Sequence, residues 1–589
     1  MAYKTYDTAL ENYFFTFLKA KTNVYNYFEL PTNDCFTYCI KEIYHCQKNI
    51  LSGNVNNNYI LDLSKHFYDF LEKDKILKKV NSLDYAVLIE DLKEISEGKK
   101  QVTNEKYTFY RNICHRDSFL YFKQICNDLL ALFNDNSEDF DLINELSLLF
   151  LNESLSRGTD SRFISKMVTF YDDGVFGSFE NFLNYFLYKK DSTYDIFLPI
   201  KNAHEKDIEL LNDKEQIVEQ IDNTFYVKVY ENKCIDYYTV INSHMTRIDS
   251  IFNLLKLYTK TSIDFDFNKD IIINTTGKYE LEPIYLAFRD IITYKGISPY
   301  SKHLQSVIIN LDELAEKERS NYHKLLNIIA YAEKDNDVIS PSSYVDYWIA
   351  LESLISLSGR KVGYAGVLEY LPCIIAPKFI INKLTFLLKK VFYKKEVKAE
   401  DFISLANNGT TDALLSTVKN PYYKYELQKF SNIFKNFKNL RAYFNHIEEF
   451  LRIDILRIYM LRNEYVHESN LTAFCSTESY KLKNYLTIAI DEFFKTLSQK
   501  SDAKYVSEFG FTFDIFTRII EKNIQRNSLL LYLCECRKTK NKVDITIDEI
   551  GNSIGTDDVM INIVLNNVEL LKKYKVPTEY KKFNPHKKD

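Results

Sequence analysis

Residues 447–470 read IEEFLRIDILRIYMLRNEYVHESN. Apolar residues three and four apart make this a long amphipathic helix, and the loop-like ESNLT that begins inside it marks the end. Arg462, Asn463 and His467 cluster at that end. Asn463 and His467 are four apart and share a helix face. At about 100° per residue, Arg462 lies roughly 140° round the helix from His467. The two meet one ligand only if the helix end is distorted or a second copy of the site faces it.

Working outward, four more helical segments surround this one. They are SPSSYVDYWIALESLISLSG, PKFIINKLTFLLKKVFY, YELQKFSNIFKNFKNLRAYF and ESYKLKNYLTIAIDEFFKTLSQ. Five long helices with few strand signals predict a helical bundle over residues 336–500. Residues 1–215 also carry helical periodicity, as in YAVLIEDLKEIS and SFLYFKQICNDLLALF. Residues 216–335 differ. TFYVKVYE (224–231), SIDFDFNKDIIIN (262–274) and QSVIINL (305–311) read as strands around a helical RIDSIFNLLKLYT, predicting a small α/β middle domain. Residues 501–589 form a helical segment with a basic tail. Its ITIDEIGNSIGTDDVMINIVLNNVELLKKY has helix-turn-helix spacing, but its second helix opens on Asp557 and Asp558, which suits packing better than DNA reading. The fold class expected is mainly α.

The 589 residues are 46% hydrophobic and 27% charged, an ordinary globular balance. A formal net charge of −5 means that any nucleic-acid contact comes from a local basic surface. The start, MAYKTYDTAL, lacks a signal-peptide pattern, and no apolar run approaches the roughly 20 residues of a membrane helix. Ten scattered cysteines suit reduced thiols, so a cytoplasmic location without membrane contact is expected.

Arginine four to six residues before histidine arises by chance in such a chain, and RAYFNH (441–446) is a second match. Context separates the two. RAYFNH lies inside an aromatic stretch that reads as packing, whereas Arg462 is followed by a polar amide at a helix end. The chemistry that fits is RNA cleavage by a 2′-hydroxyl attacking its own phosphate. That reaction needs a base, an acid and a cation for the developing phosphorane charge. Histidine titrates near neutrality, arginine forks onto phosphate oxygens, and asparagine orients a phosphate or a ribose hydroxyl. No metal or other cofactor is required. The bland alternative makes His467 a helix-end histidine interacting with the dipole.

RNEYVH (462–467) resembles the R-N-x-x-x-H signature of HEPN ribonuclease domains. YWIALESLISL (347–357), about a hundred residues earlier, resembles the first helix of the Apea-like HEPN branch, which carries an apolar-L-E motif. The resemblance covers roughly residues 340–500. It implies a helical bundle that pairs two-fold, bringing two motifs into one cleft and resolving the 140° offset. It also implies a metal-independent RNA endonuclease of the kind that serves anti-phage abortive infection. Residue by residue, Arg462, Asn463 and His467 take the signature positions and Glu352 the upstream acidic one. Glu352 borders an apolar face, so a partner such as Arg462 or His467 is expected for it. Glu468 stands where the family often has a small residue. The implied partners are RNA, with tRNA one candidate, a second copy of the chain in a homodimer or higher homo-oligomer, and a phage-derived trigger. The regions before the bundle would hold it inactive or sense that trigger. The alternative is a non-catalytic HEPN protein that binds RNA or scaffolds through the dimerised bundle.

KNPYYKYELQKFSNIFKNFKNLRAYF (419–444) interleaves lysines with aromatics. Lys424, Lys429, Lys435 and Lys438 are the candidate RNA-binding cations, with aromatics to stack bases. The alternative is a helix with a solvated lysine face and an aromatic core face. Two further patterns mislead. HRDSF (115–119) mimics a kinase loop but lacks the asparagine that loop requires. Cys35, Cys39, His45 and Cys46 have spacing that fits no common zinc finger.

Overall fold

The computed structural model describes residues 6–23, 34–51, 58–80, 82–101, 103–203, 218–259, 263–275, 278–284, 327, 330, 341–356, 363–393, 415–434, 437–468 and 476–498. The QSVIINL stretch, the helix-turn-helix segment and the basic tail lie outside them. The chain is mostly helical, with one small antiparallel sheet in its middle region. Among the described residues no helix is long and apolar enough to cross a membrane.

The helices α1 (Ala9–Lys21), α2 (Phe36–Leu51), α3 (Asn58–Leu71), α4 (Lys75–Val80), α5 (Ser82–Ser96), α6 (Asn104–Asn134), α7 (Phe140–Ser156), α8 (Ser161–Asp172) and α9 (Phe179–Tyr188) come first. Aromatic residues fill their core. Phe14, Phe15, Phe150, Phe182 and Tyr171 are all nearly sealed, and Phe15 stacks on Tyr171 at 4.0 Å between centroids. Side-chain caps start several of these helices. Thr8 accepts from the Glu11 amide at 3.1 Å, and Asp160 accepts from that of Arg162 at 2.8 Å.

The sheet contains β1 (Ser192–Lys201), β2 (Val218–Ile221), β3 (Thr224–Cys234), β4 (Asp264–Phe265), β5 (Asp270–Thr275) and β6 (Lys278–Pro283). Its order is β2-β3-β1-β5-β6, with β4 also paired to β1. The central strand, β1, falls inside the region read from sequence as helical. STYDIFLPIK hides it twice over. Its burial follows no alternation, because both faces are largely covered, and Pro199 is an unexpected residue for a central strand. The helix α10 (Tyr237–Thr259) packs on β1 and β3.

A buried polar knot ties α8 to α10. Asp236 accepts from the amides of Asp160 (2.8 Å) and Thr239 (2.9 Å). Arg162 donates to Asn242 at 2.9 Å, and Asn242 donates to Asp160 at 2.9 Å. Burial, then the neighbouring Asp160 charge, pushes the Asp236 carboxyl up to about 6. The folded state therefore holds a proton that the unfolded chain, with an ordinary value of about 3.9, has released. The stabilisation from this group is complete below about pH 4 and is lost as pH rises through 6. Denaturation curves should show the wild type losing about 1–3 kcal/mol relative to Asp236→Asn between pH 4 and 7. A difference that stays flat with pH would mean that Asp236 titrates normally.

The C-terminal helices are α11 (Pro341–Ser356), α12 (Tyr364–Tyr393), α13 (Pro421–Phe434), α14 (Phe437–Glu468) and α15 (Ser476–Ser498). Among the described residues these helices correspond to the five expected segments, but two boundaries differ. Pro377 marks a start in sequence, yet α12 begins at Tyr364 and carries Pro372 and Pro377 inside it. The second difference is that RAYFNH belongs to α14 and not to the preceding helix.

The described residues of Met1–Leu371 and Arg452–Phe513 form one compact unit, and those of Pro372–Leu451 the other. In the second unit, Lys383 pairs with the buried Glu426 at 2.9 Å, and Phe379 packs on Phe450.

Candidate active site

From Arg452 onward α14 is buried on nearly every side. Ile453, Ile455, Leu456 and Ile458 are sealed, and so are the polar Asp454 and Arg457. A helix apolar almost all round is a core helix, and its polar residues then need built partners. Each has them. Arg457 forks onto Glu42 of α2 with contacts of 2.8 and 2.9 Å and donates to Asp34 at 2.9 Å. Lys481 and Tyr485 of α15 both donate to Asp454 at 2.7 Å. Half-buried Arg452 pairs with Asp62 of α3 at 3.0 Å. The stretch leading to the motif is therefore clamped by α2, α3 and α15.

Aromatic contacts add to the clamp. Trp348 of α11 lies 5.2 Å from Tyr459, which stacks on Tyr364 at 4.6 Å and on Tyr59 at 5.9 Å. Tyr344 of α11 donates to the Ile458 carbonyl at 2.6 Å. Tyr344→Phe should cost about 1 kcal/mol, read as a shift in the urea midpoint, because one buried hydrogen bond goes while the ring's packing stays. An unchanged midpoint would mean that this bond adds nothing net.

The motif sits just beyond. Arg462 is half-buried, and its Nη1 donates to the Asn463 Oδ1 at 3.0 Å. Asn463 is only 1% exposed. Its amide oxygen thus holds the guanidinium in place. The Arg462 Nε is buried with no hydrogen-bond partner, and no carboxylate among the described residues pairs with this arginine. His467 continues the helix, and its side chain lies outside the described residues. Tyr465 is half-buried, and its hydroxyl pKa is raised by burial and then by the charges of Asp249 on α10 and Asp346 on α11. The motif end is therefore close to the helix that covers the sheet.

Glu352 is half-buried on α11 and forms no hydrogen bond or ion pair among the described residues. The pairing with Arg462 expected for it is not made. Its neighbours Leu351 and Leu354 are sealed, and the carboxylate reaches solvent at the edge of that apolar face.

The lysine stretch falls in the other compact unit. Lys424 and Lys429 are exposed on α13, Lys435 lies outside the described residues, and the Lys438 side chain does too. Three of the aromatics that would stack bases are in the core, whereas Tyr425 and Tyr443 are half-buried. Tyr422, Tyr423 and Phe430 are 0%, 5% and 1% exposed. The residues at 422, 423, 426, 427 and 430 form one buried stripe, so helical period decides their fate. A cap explains the local start, because Asn420 accepts from the amides of Tyr422 and Tyr423 and Pro421 occupies the first turn.

Cys35, Cys39 and Cys46 are buried thiols, and burial pushes the Cys46 thiol up to about 12. Among the described residues no group of three or more His, Cys, Asp or Glu side chains could hold a metal ion.

No protein-family model matches the chain. No curated protein and no solved structure matches it either.

Proposed function

We propose that the chain is a metal-independent RNA endonuclease of HEPN type, acting through Arg462 and His467 as an abortive-infection effector. The observation that carries this reading is the state of Arg462. Its guanidinium is fixed by a buried amide, keeps an unsatisfied Nε, and has no described carboxylate to neutralise it. A partly buried unpaired cation is costly, and sites that stabilise developing phosphate charge use such preorganised cations. His467, one turn beyond Asn463, would supply the proton transfer. Asn463 acts as a positioning residue. Glu352 stays a candidate, with His467 or the motif of a second copy as its partner. Exposed Lys424 is a candidate RNA contact, with tRNA one candidate substrate.

The test is to express wild type and His467→Ala side by side and sequence the 5′-hydroxyl and cyclic-phosphate ends of total RNA, with and without phage challenge. New ends and growth arrest with wild type alone are the expected result. Identical end profiles under both conditions would refute the nuclease reading and favour the non-catalytic scaffold, which uses the same bundle without cutting.

A further inference from the structure

A second polar site lies far from the motif in sequence. α2, α6, the turn after α7 and the link from α9 to β1 line an open cleft of about 400 Å³. That volume is in the range of small-molecule sites. Lys41, Arg111, His115, Arg157 and Lys189 line it, against one lining carboxylate, Asp191.

The four cations among these, Lys41, Arg111, Arg157 and Lys189, form no ion pair with an acid among the described residues. The Arg157 guanidinium is half-buried and makes no hydrogen bond or ion pair among the described residues. It rests on the rings of Phe122 (4.9 Å) and Phe119 (5.9 Å). Arg111 donates only to the His115 Nε2, at 3.4 Å. Lys41 donates to the Ser156 carbonyl. Lys189 donates to the Tyr185 hydroxyl at 3.2 Å and sits over the Phe163 ring. Other arginines in the same helical region behave differently. Arg116 pairs with Asp84 and Asp117, and Arg162 with Asp160.

The nearest buried acid is Glu153, which accepts from Thr37 at 2.5 Å. Burial raises its carboxyl pKa against the charges of Arg157 and Lys41, and it forms no ion pair with either among the described residues. Burial also lowers Lys189 to about 8, the mark of a cation held without a close carboxylate. Asp236 is the acid that acts on it most, and from a distance. Arg157 and Lys189 are held partly out of water without an ion pair, a cost that an anion entering the cleft relieves, while Lys41 and Arg111 are exposed beside them.

We propose that this cleft binds a phosphate-bearing small molecule of mononucleotide size. Arg111, His115 and Arg157 hold the phosphate, and the Phe119 ring at the rim receives the base. Arginine forks suit phosphate oxygens, and an aromatic face suits a base of any identity. The site uses none of the motif residues and does not depend on RNA cleavage.

Titration calorimetry on the full-length protein with AMP and with inorganic phosphate tests this. AMP should give saturable binding at least about tenfold tighter than phosphate, because the ring adds stacking energy. Arg111→Gln and His115→Gln, both at exposed positions, should each weaken AMP by about tenfold or more while circular dichroism stays unchanged. Arg157→Gln should abolish binding, and the two surface variants decide the matter if it fails to fold. No AMP binding at millimolar concentration, equal affinity for AMP and phosphate, or an affinity unmoved in both surface variants would each overturn the proposal.

Discussion

Arg457→Ala should cost about 3–5 kcal/mol, the largest stability loss expected of any single change in the motif half of α14. The guanidinium is 4% exposed and contacts Glu42 and Asp34 together. Removing it leaves two buried acids facing each other with little to neutralise them. His66, which approaches Asp34 at 3.1 Å, cannot replace both contacts. Chemical denaturation followed by circular dichroism measures the loss. Arg457→Met combined with Glu42→Gln should recover part of it, since packing survives and one charge is gone. A loss below about 1 kcal/mol would mean that the network is loosely solvated. The same network sets an acid limit. Burial opposes ionisation of Asp34, but Arg457 and His66 outweigh it and hold the carboxyl well below the usual range. Stability from Asp34 is therefore present above the ordinary carboxylate value of about 3.9 and is lost as pH falls toward the lower folded value. In Arg457→Ala the Asp34 carboxyl loses its main counter-charge, so its acid-side loss should shrink.

The second large effect concerns chemistry. If the proposed cleavage is correct, Arg462→Ala should lower kcat by about 10²–10³, the usual cost of deleting one group that stabilises developing charge. His467→Ala should lower it by about 10²–10⁴ as proton transfer is lost. Arg462→Lys should recover little, because an ammonium cannot both donate to Asn463 and fork onto a phosphate. Asn463→Ala should reduce kcat by about tenfold with less change in KM, since Asn463 aims the guanidinium and does not reach solvent. Single-turnover assays on purified protein separate these variants. Wild-type rates in both Arg462→Ala and His467→Ala would remove the motif from the mechanism.

Much of this architecture was legible in the sequence, for physical reasons. The helical segments at 341–498 declare themselves by three-and-four periodicity, and the texture change near residue 216 does mark strands. The central strand did not, because STYDIFLPIK is covered on both faces and contains a proline. The start of α12 was misread because proline is the strongest local signal of a helix start, yet Pro372 and Pro377 lie inside a helix that begins earlier. The lysine stretch illustrates a further limit. Interleaved lysine and aromatic residues look the same whether the rings face RNA or the core, and here the three-dimensional period places Tyr422, Tyr423 and Phe430 inside. Asn463 was legible as part of a motif, but its burial and its contact with Arg462 depend on packing contributed by distant segments. The cleft on α2 and α6 left no linear pattern at all. Lys41, Arg111, His115, Arg157 and Lys189 come from four separate places in the chain.

The clamp on α14 also bears on how such a chain can be inherited and rearranged. Arg457, Arg452 and Asp454 bind partners on α2, α3 and α15, the first two belonging to the opening seventy residues. A cassette cut at residue 336 and transplanted onto another carrier would take the cations and leave their acids behind. The motif therefore travels only with the start of its own chain. Recombination that shuffles front and back halves among related genes would be penalised, whereas loops between the helices stay free to diverge.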